Sequence, residues 1–462
     1  MEALSLGQLL EAVDGVLLGE VTDLDTAFTG VCTDSRQIEP GSLFLPLEGE
    51  RFDGHAFLQD ALEAGAVGCL TARERERYLP GKFYVKVRST QRALRDLAWY
   101  YKQRFPIPFV AITGSVGKTT TKDMVAAVLS VRYQVHKTEG NYNNDIGVPL
   151  TLLGLERRHE VCVVELGMDR AGEIDYLSQL VEPDVAVVTN IGDSHMENLG
   201  SREAIFQAKC EIFHHLKPGG LAILNGDDPL LATLRGKLSQ PARFVGREEG
   251  MDYTALDVDS DGATHLSCTV RTPSAQFSVE IPALGAHMVY PTLMAAAIAE
   301  RFGMGGDEIT QGVRAFLPTK MRMNVVRCPG DIMILNDAYN ASPQSMRAAA
   351  AVLGDAKGRR KVAVVGDMKE LGSSSQAFHR AVGGYFAQAG TDRLIAVGDQ
   401  ARFIAEGARE AGLEQVDYYP DLEQAEPALL RELRAGSTIL VKASRSMAFE
   451  RIVDYLLAHA PQ

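Results

Sequence analysis

The sequence predicts an α/β protein of three domains: a small N-terminal α/β module over residues 1–87, a central parallel-sheet domain of the P-loop type over 88–317, and a C-terminal Rossmann-like α/β domain over 318–462. Three observations predict it. The stretch Phe109-Val110-Ala111-Ile112-Thr113-Gly114-Ser115-Val116-Gly117-Lys118-Thr119-Thr120-Thr121 reads as a buried strand, a glycine turn and a helix start in succession. Valine-rich apolar runs then alternate with helical patterns, as a parallel sheet buried on both faces requires. Beyond Pro318 the alternation of strand and helix begins again, which reads as a second, smaller doubly wound sheet.

In the N-terminal module short strands are expected at 15–21, 30–33, 42–47, 66–70 and 83–87, separated by turns. An amphipathic helix over 90–103 leads to Pro106-Ile107-Pro108, where two prolines stiffen the chain at a domain junction. The central strands are 109–113, 161–166, 185–189 and 221–225, with a helix over 122–130 after the glycine turn. That domain closes with a polar antiparallel stretch, 254–281, and a helix over 292–302. The last domain carries strands at 333–336, 362–365, 394–397 and 438–441.

The glycine turn has the chemistry of a phosphate cradle formed by Gly114, Ser115, Val116, Gly117, Lys118, Thr119 and Thr120. Gly114 and Gly117 let the backbone bend close to a polyphosphate, Lys118 supplies a point charge, Thr119 offers a hydroxyl to Mg²⁺, and the following helix aims its first amides at the anion. Ile112 stands where the first glycine of GxxxxGK[ST] belongs, so the loop is a shortened variant. Ligands of open parallel sheets bind beyond the carboxyl ends of the strands. Glu165 ends one central strand, and His195 follows another through Asn190-Ile191-Gly192-Asp193-Ser194. Both are candidate ligands for one or two Mg²⁺ ions; the plainer readings are a helix cap and a loop histidine. Lys209 falls in the apolar stripe of Ile205, Ala208, Ile212 and Phe213 on a helix expected over 201–216. It either snorkels or is an uncharged amine that has taken up CO₂ as a carbamate.

With 462 residues, 46% of them hydrophobic, the chain can fill several cores. A net charge of −13 argues against nucleic acid as a partner, because a surface that tracks phosphates needs a basic excess. Cys32, Cys69, Cys162, Cys210, Cys268 and Cys328 form no CxxC pair and read as reduced core residues of a cytoplasmic protein. Neither a basic start ahead of an apolar run nor a run of membrane-spanning length is present, so membrane insertion is not expected.

Taken together these pieces resemble the Mur ligases of peptidoglycan synthesis over nearly the whole chain. The resemblance is carried by Thr33-Asp34-Ser35-Arg36, Glu48-Gly49-Glu50-Arg51-Phe52-Asp53-Gly54-His55, the loop Thr113 to Thr121, Gly140-Asn141-Tyr142-Asn143-Asn144-Asp145-Ile146-Gly147-Val148-Pro149 and Glu165-Leu166-Gly167-Met168. It continues through Thr189-Asn190-Ile191-Gly192, Ala208-Lys209-Cys210-Glu211-Ile212, Asn336-Asp337-Ala338-Tyr339-Asn340-Ala341-Ser342-Pro343, Gly366-Asp367-Met368-Lys369-Glu370-Leu371-Gly372 and Lys442-Ala443-Ser444-Arg445. What it implies is ATP-dependent ligation of D-alanyl-D-alanine to UDP-N-acetylmuramoyl-tripeptide through an acyl phosphate, by a monomeric enzyme using Mg²⁺. Ser35, Arg36, Phe52, Asp53, Gly54 and His55 would then contact the UDP-linked substrate. Lys118, Thr119, Glu165 and His195 would hold ATP and Mg²⁺, with the family's carbamylated lysine at Lys209. Asn141 and Asn144 would face the reacting groups. Arg322, Asp337, Tyr339 and Asn340 would reach the nucleotide, and Lys442, Ser444 and Arg445 the dipeptide. The chain departs from the family after Gly285-Ala286-His287, where Met288-Val289-Tyr290-Pro291 replaces an asparagine-bearing run that touches adenine; Lys320 and Asn336 also replace usual residues.

Overall fold

The structure is a computed structural model and describes residues 1–49, 52–74, 76–260, 266–356 and 359–461. Glu50 and Arg51 of the N-terminal motif, and 261–265 of the antiparallel stretch, lie outside the described residues. The chain falls into two compact units, one of Met1–Ala111, Tyr133–Gly167 and Asp175–Asp184, the other of Ile112–Arg132, Met168–Ile174 and Val185–Gln462.

In the first unit a five-stranded sheet runs in the order Val16–Leu18, Phe83–Lys86, Gly68–Thr71, Ser42–Phe44, Gly30–Cys32. Its first pair is antiparallel and the rest are parallel. Phe44, Cys69 and Tyr84 pack against Leu58, Ala61 and Leu62 of a short helix, which makes one face of this sheet a core. The five strands expected from the sequence are all present, each shorter than its apolar run. The helix Thr90–Lys102 starts where the Ser89 side chain accepts from the Arg92 amide. Ala93, Leu94, Leu97, Ala98 and Tyr101 recur on its buried face. The same unit holds the parallel pair Val135–Lys137 and Val161–Glu165; the first of these, short and ending in His136-Lys137, was not visible as a strand.

Strand Phe109–Thr113, buried at every residue, begins in the first unit and ends in the second. There Val185–Val188, Leu221–Asn225, Ala242–Gly246 and Tyr253–Ser260 follow one another in parallel. Leu266–Arg271 and Gln276–Glu280 then turn antiparallel, as the polar stretch predicts. A six-stranded sheet follows in the order Asn324–Cys328, Ile332–Asn336, Ser437–Lys442, Arg360–Gly366, Arg393–Val397, Val416–Tyr419. Only its first pair is antiparallel. Apolar clusters cover both of its faces, one around Leu335, Val365 and Phe386 and the other around Ile334, Val364 and Phe449. The two edge strands escaped the sequence reading because they carry half-exposed, mixed residues instead of a valine run.

Three helices differ from expectation, the one expected over 292–302 by spanning Val289–Arg301. The helix after the glycine turn starts at Lys118, four residues early, because Gly117 in a left-handed conformation (φ 86°) turns the chain straight into it. The helix bearing Lys209 spans only Arg202–Cys210 and tightens into a 3₁₀ turn at Glu211–Phe213. Three of the six free cysteines, Cys32, Cys210 and Cys328, are partly exposed instead of core residues. Among the described residues no helix is long and apolar enough to cross a membrane.

Candidate functional site

The glycine turn is fixed from behind by the segment that follows Val185–Val188. The amide of Ser115 donates to Asn190 O (3.0 Å) and that of Val116 to Asn190 Oδ1 (3.0 Å). In return Asn190 Nδ2 and Thr189 Oγ1 donate to Val116 O (2.9 and 2.7 Å), and Gly192 N donates to Ser115 Oγ (2.8 Å). Gly114 has φ 146°, and a Cβ there would stand 1.8 Å from Thr189 Oγ1, so only glycine fits. The amides of Ser115 and Val116 are thus spent on Asn190. The helix starts without a side-chain cap, and the groups it presents to an anion are the first-turn amides of Lys118, Thr119 and Thr120. Lys118 Nζ folds back onto Gly114 O (2.9 Å), at the mouth of the same turn.

Arg322 Nη2 donates to Thr119 Oγ1 (3.0 Å), and its guanidinium stacks over the Tyr339 ring, 4.2 Å from the centroid. The neighbouring Asp337 accepts from Met323 N through Oδ1 (3.1 Å) and from Lys442 Nζ through Oδ2 (2.6 Å). Lys442, nearly fully buried, also donates to Asn340 O (2.8 Å), so it braces the Asp337–Asn340 loop. Asn340 Oδ1 accepts from the Ala341 amide. Ser444 Oγ accepts from Lys369 N (2.9 Å), whereas the exposed Arg445 pairs with Glu450 (2.6 Å).

His195 sits in a left-handed conformation (φ 65°) with its Nδ1 3.1 Å from Asp169 Oδ1 and 3.0 Å from Glu370 Oε2. Neither approach has hydrogen-bond alignment at Nδ1, and that atom is buried. The imidazole beside it holds the Glu370 carboxyl below its usual range. Lys209 is 1% exposed, and no hydrogen bond or ion pair to a described residue engages its ammonium. Burial first, and then the positive charge of Lys118, push its amine well below the ordinary lysine value, with Asp169 pulling weakly the other way.

In the first unit Glu165 is buried at its strand end. Its amide donates to Thr138 Oγ1 (3.0 Å), and its Oε1 accepts from Asn143 Nδ2 (2.8 Å). Oε2 is buried without a partner among the described residues. An orphaned carboxylate oxygen is a donor of the kind a hard divalent cation takes, so Glu165 fits Mg²⁺. Asn144 Oδ1 is committed to the Ile146 and Gly147 amides at the start of the next helix (3.2 and 2.9 Å); Asn141 lies exposed two residues before Asn143, whose amide donates to its carbonyl (2.7 Å).

Of the N-terminal residues, Ser35 opens a 3₁₀ turn, and Arg36, 85% exposed, pairs with Asp34 (2.7 Å). Phe52 is exposed too, at 60%. His55 is the opposite case. Its Nε2 accepts from Ala72 N (3.0 Å), which leaves the proton on Nδ1 to be donated to Asp53 Oδ1 (2.7 Å). A buried ring with both nitrogens engaged supports the Phe52–His55 loop from behind. Gly54 packs so closely that a Cβ would lie 2.8 Å from Leu47 N and O. We expect His55→Ala to cost about 2 kcal/mol, because it removes a buried ring and leaves the half-buried Ala72 N–H without its acceptor; a lowered urea midpoint at unchanged m-value is the measurement.

Sequence reasoning assigned no role to Thr189, Asn190, Asn143, Asp169 or Glu370. Most of them lie inside motifs already noticed, so position was legible and contact was not. Around the departed adenine segment, Met288 and Pro291 are buried, and the Tyr290 hydroxyl donates to Asp227 Oδ2 (2.9 Å). The helix there, Val289–Arg301, accepts Pro291 within its first turn.

Comparison with known proteins matches three family descriptions along the chain: Mur ligase family, catalytic domain, at residues 27–102; Mur ligase middle domain, at 112–299; and Mur ligase, glutamate ligase domain, at 321–445. A UDP-N-acetylmuramoyl-tripeptide–D-alanyl-D-alanine ligase of Bacillus subtilis is 40% identical over 97% of both chains. One of the same description from Escherichia coli is 37% identical over 99% of both. Among solved structures, MurF from Acinetobacter baumannii superposes with a TM-score of 0.92 at 33% identity over 99% of both chains. The MurF ligase from Thermotoga maritima in complex with ADP does so with 0.83 at 28% identity, over 95% of this chain and 99% of that one.

Proposed function

The chain belongs to the Mur ligase family, and from that premise we propose that it joins D-alanyl-D-alanine to UDP-N-acetylmuramoyl-tripeptide with ATP, by way of an acyl phosphate. The observation that carries this reading is the full-length correspondence with ligases of that description, in a chain whose shortened phosphate loop keeps Gly117, Lys118 and Thr119. The proposed division of labour follows the boundaries 1–87, 88–317 and 318–462, for the UDP-linked substrate, ATP, and closure of the site by the ligase domain.

The reaction begins with a carboxylate, a poor electrophile. Its oxygen bonds to the γ-phosphorus of ATP, the bond from that phosphorus to the β-bridging oxygen breaks, and ADP leaves. Lys118 and the amides of Lys118, Thr119 and Thr120 neutralise charge on the transferring group; little covalent work is asked of the protein. The dipeptide amine then adds to the acyl carbon, and the tetrahedral adduct expels phosphate. An α-amino group has a pKa of about 8, so it must shed a proton before attack. Arg322 and Tyr339, held together by stacking, are assigned to the nucleotide, with Asp337 and Asn340 shaping their loop. Ser35, Arg36 and Phe52 are assigned to the UDP-linked substrate with Asp53, Gly54 and His55 as their support, and Ser444 and Arg445 to the dipeptide with Lys442 as a brace.

We assign metal ligation to Thr119, Glu165, His195 and a carbamylated Lys209; Mg²⁺ would supply charge neutralisation at the phosphates. Asn143 orients Glu165 by its hydrogen bond, and Asn141 and Asn144 remain assigned to the reacting groups. The enzyme is proposed to act as a monomer in the cytoplasm, where its free cysteines stay reduced.

The test is substrate dependence. ADP and phosphate are expected only when UDP-muramoyl tripeptide and D-alanyl-D-alanine are both supplied, with a product of the summed peptide mass. ATP turnover indifferent to the dipeptide would sink the reading.

A further inference from the structure

The phosphate-loop helix presents Thr119 and Asp123 one turn apart on a single face. Facing them is the segment after Pro318, with Thr319 and Arg322 three residues apart. Two rungs join helix and segment. Arg322 Nη2 donates to Thr119 Oγ1 (3.0 Å), and Thr319 Oγ1 donates to Asp123 Oδ2 in a short bond. The other oxygen of Asp123 lies 3.3 Å from Lys122 Nζ, with both side chains nearly buried, so this rung is anchored in the core.

The segment itself is tightly wound. Arg322 N donates to Thr319 O and to Asn324 Oδ1 (both 3.2 Å), and Met321 and Met323 on either side of the arginine have φ of 61° and 54°. Two left-handed methionines around one residue are costly and persist only where the surroundings over-determine them. Tyr339 N donating to Met321 O (3.1 Å) and Met323 N donating to Asp337 Oδ1 (3.1 Å) hold one side. The Thr319–Asp123 rung holds the other.

We infer that Asp123 and Thr319 are positioning residues for the nucleotide step: they register the 319–322 segment on the phosphate-loop helix so that the Arg322 guanidinium stands at Thr119. Neither residue touches the reacting atoms. The inference rests on the reading of the loop as an ATP site and goes beyond it, because it says what aims Arg322.

The experiment is calorimetric titration of the full chain with ADP in the presence of Mg²⁺, which needs no ligation to occur. Thr319→Val, which keeps shape and removes the hydroxyl, is expected to weaken binding roughly tenfold, the order of one charge-assisted hydrogen bond. Thr319→Ser should restore it. Asp123→Asn, which keeps an acceptor for the Thr319 hydroxyl and loses only the charge, should weaken binding less than Thr319→Val. In an Arg322→Ala background Thr319→Val should add no further loss, because it acts through the arginine. Unchanged affinity in Thr319→Val, or equal losses in the two backgrounds, would overturn the inference and leave the pair a structural rivet. Failure of the wild-type chain to bind ADP at all would instead overturn the ATP reading beneath it, and this inference with it.

Discussion

Replacing Lys209 with alanine is expected to lower the ligation rate about 10³-fold, the scale of removing one group that stabilises charge in a dry site, while ADP affinity changes little. Added acetate or formate should restore part of the lost activity. The reason lies in the burial of the amine. A lysine 1% exposed with no described acceptor cannot hold its charge cheaply, and Lys118 makes the charge less favourable still. The neutral amine that results is a nucleophile toward CO₂; carbamylation converts it into an anion suited to a metal-rich phosphate site. A small carboxylate can enter the space left by alanine and supply the same charge. Labelled bicarbonate should give a carbamate carbon signal in the native wild-type chain and none in Lys209→Ala. A second readout separates the unmodified amine. Folding holds it neutral at pH values where the unfolded chain would protonate it, so stability of carbamate-free protein rises with pH toward about 10.4 and falls as acid is added. Lys209→Met should abolish that slope. Failure of every carboxylate, together with an unlabelled lysine in active protein, would return Lys209 to an ordinary buried side chain.

The parts of this molecule that were readable in the sequence are those decided by local physics. Val161–Glu165 and Leu221–Asn225 announce themselves because a strand covered on both faces must be apolar at every position. Gly117 marks the helix start because no other residue takes φ 86° without strain, although the helix then begins sooner than its apolar pattern. Contacts across long separations were not readable. Asn190 holds Val116 over an interval of 74 residues, and Thr319 meets Asp123 across 196. Both asparagine and threonine are ordinary loop residues until the fold gives them partners. His55 shows the same limit from the other direction. Its place in a motif was visible, but which side of the loop it faces depends on Ala72, seventeen residues on.

Lys118→Ala should produce the larger loss, at least 10³-fold in kcat/KM for ATP, because it removes the one side-chain charge the loop aims at the transferring phosphoryl group. That ammonium donates to Gly114 O, 2.9 Å away, so it lies inside the turn where a phosphate would be held. Lys118→Arg should rescue poorly. A planar fork is larger than an ammonium, and the turn is packed so closely at Gly114 that a single Cβ would meet Thr189 Oγ1 at 1.8 Å. The substitution carries a second consequence that a simple loss of binding would not. Lys118 is one of the charges that depress the Lys209 amine, so its removal relaxes that amine toward the ordinary lysine value. Less neutral amine is then present at a given pH, and carbamate formation should require more alkaline solution or more bicarbonate. The residual activity of Lys118→Ala should therefore rise with pH and with bicarbonate more steeply than that of the wild type, whose amine Lys118 depresses. Parallel pH profiles would show that the two lysines act independently, and an unchanged rate would mean that Lys118 does not serve the phosphoryl group.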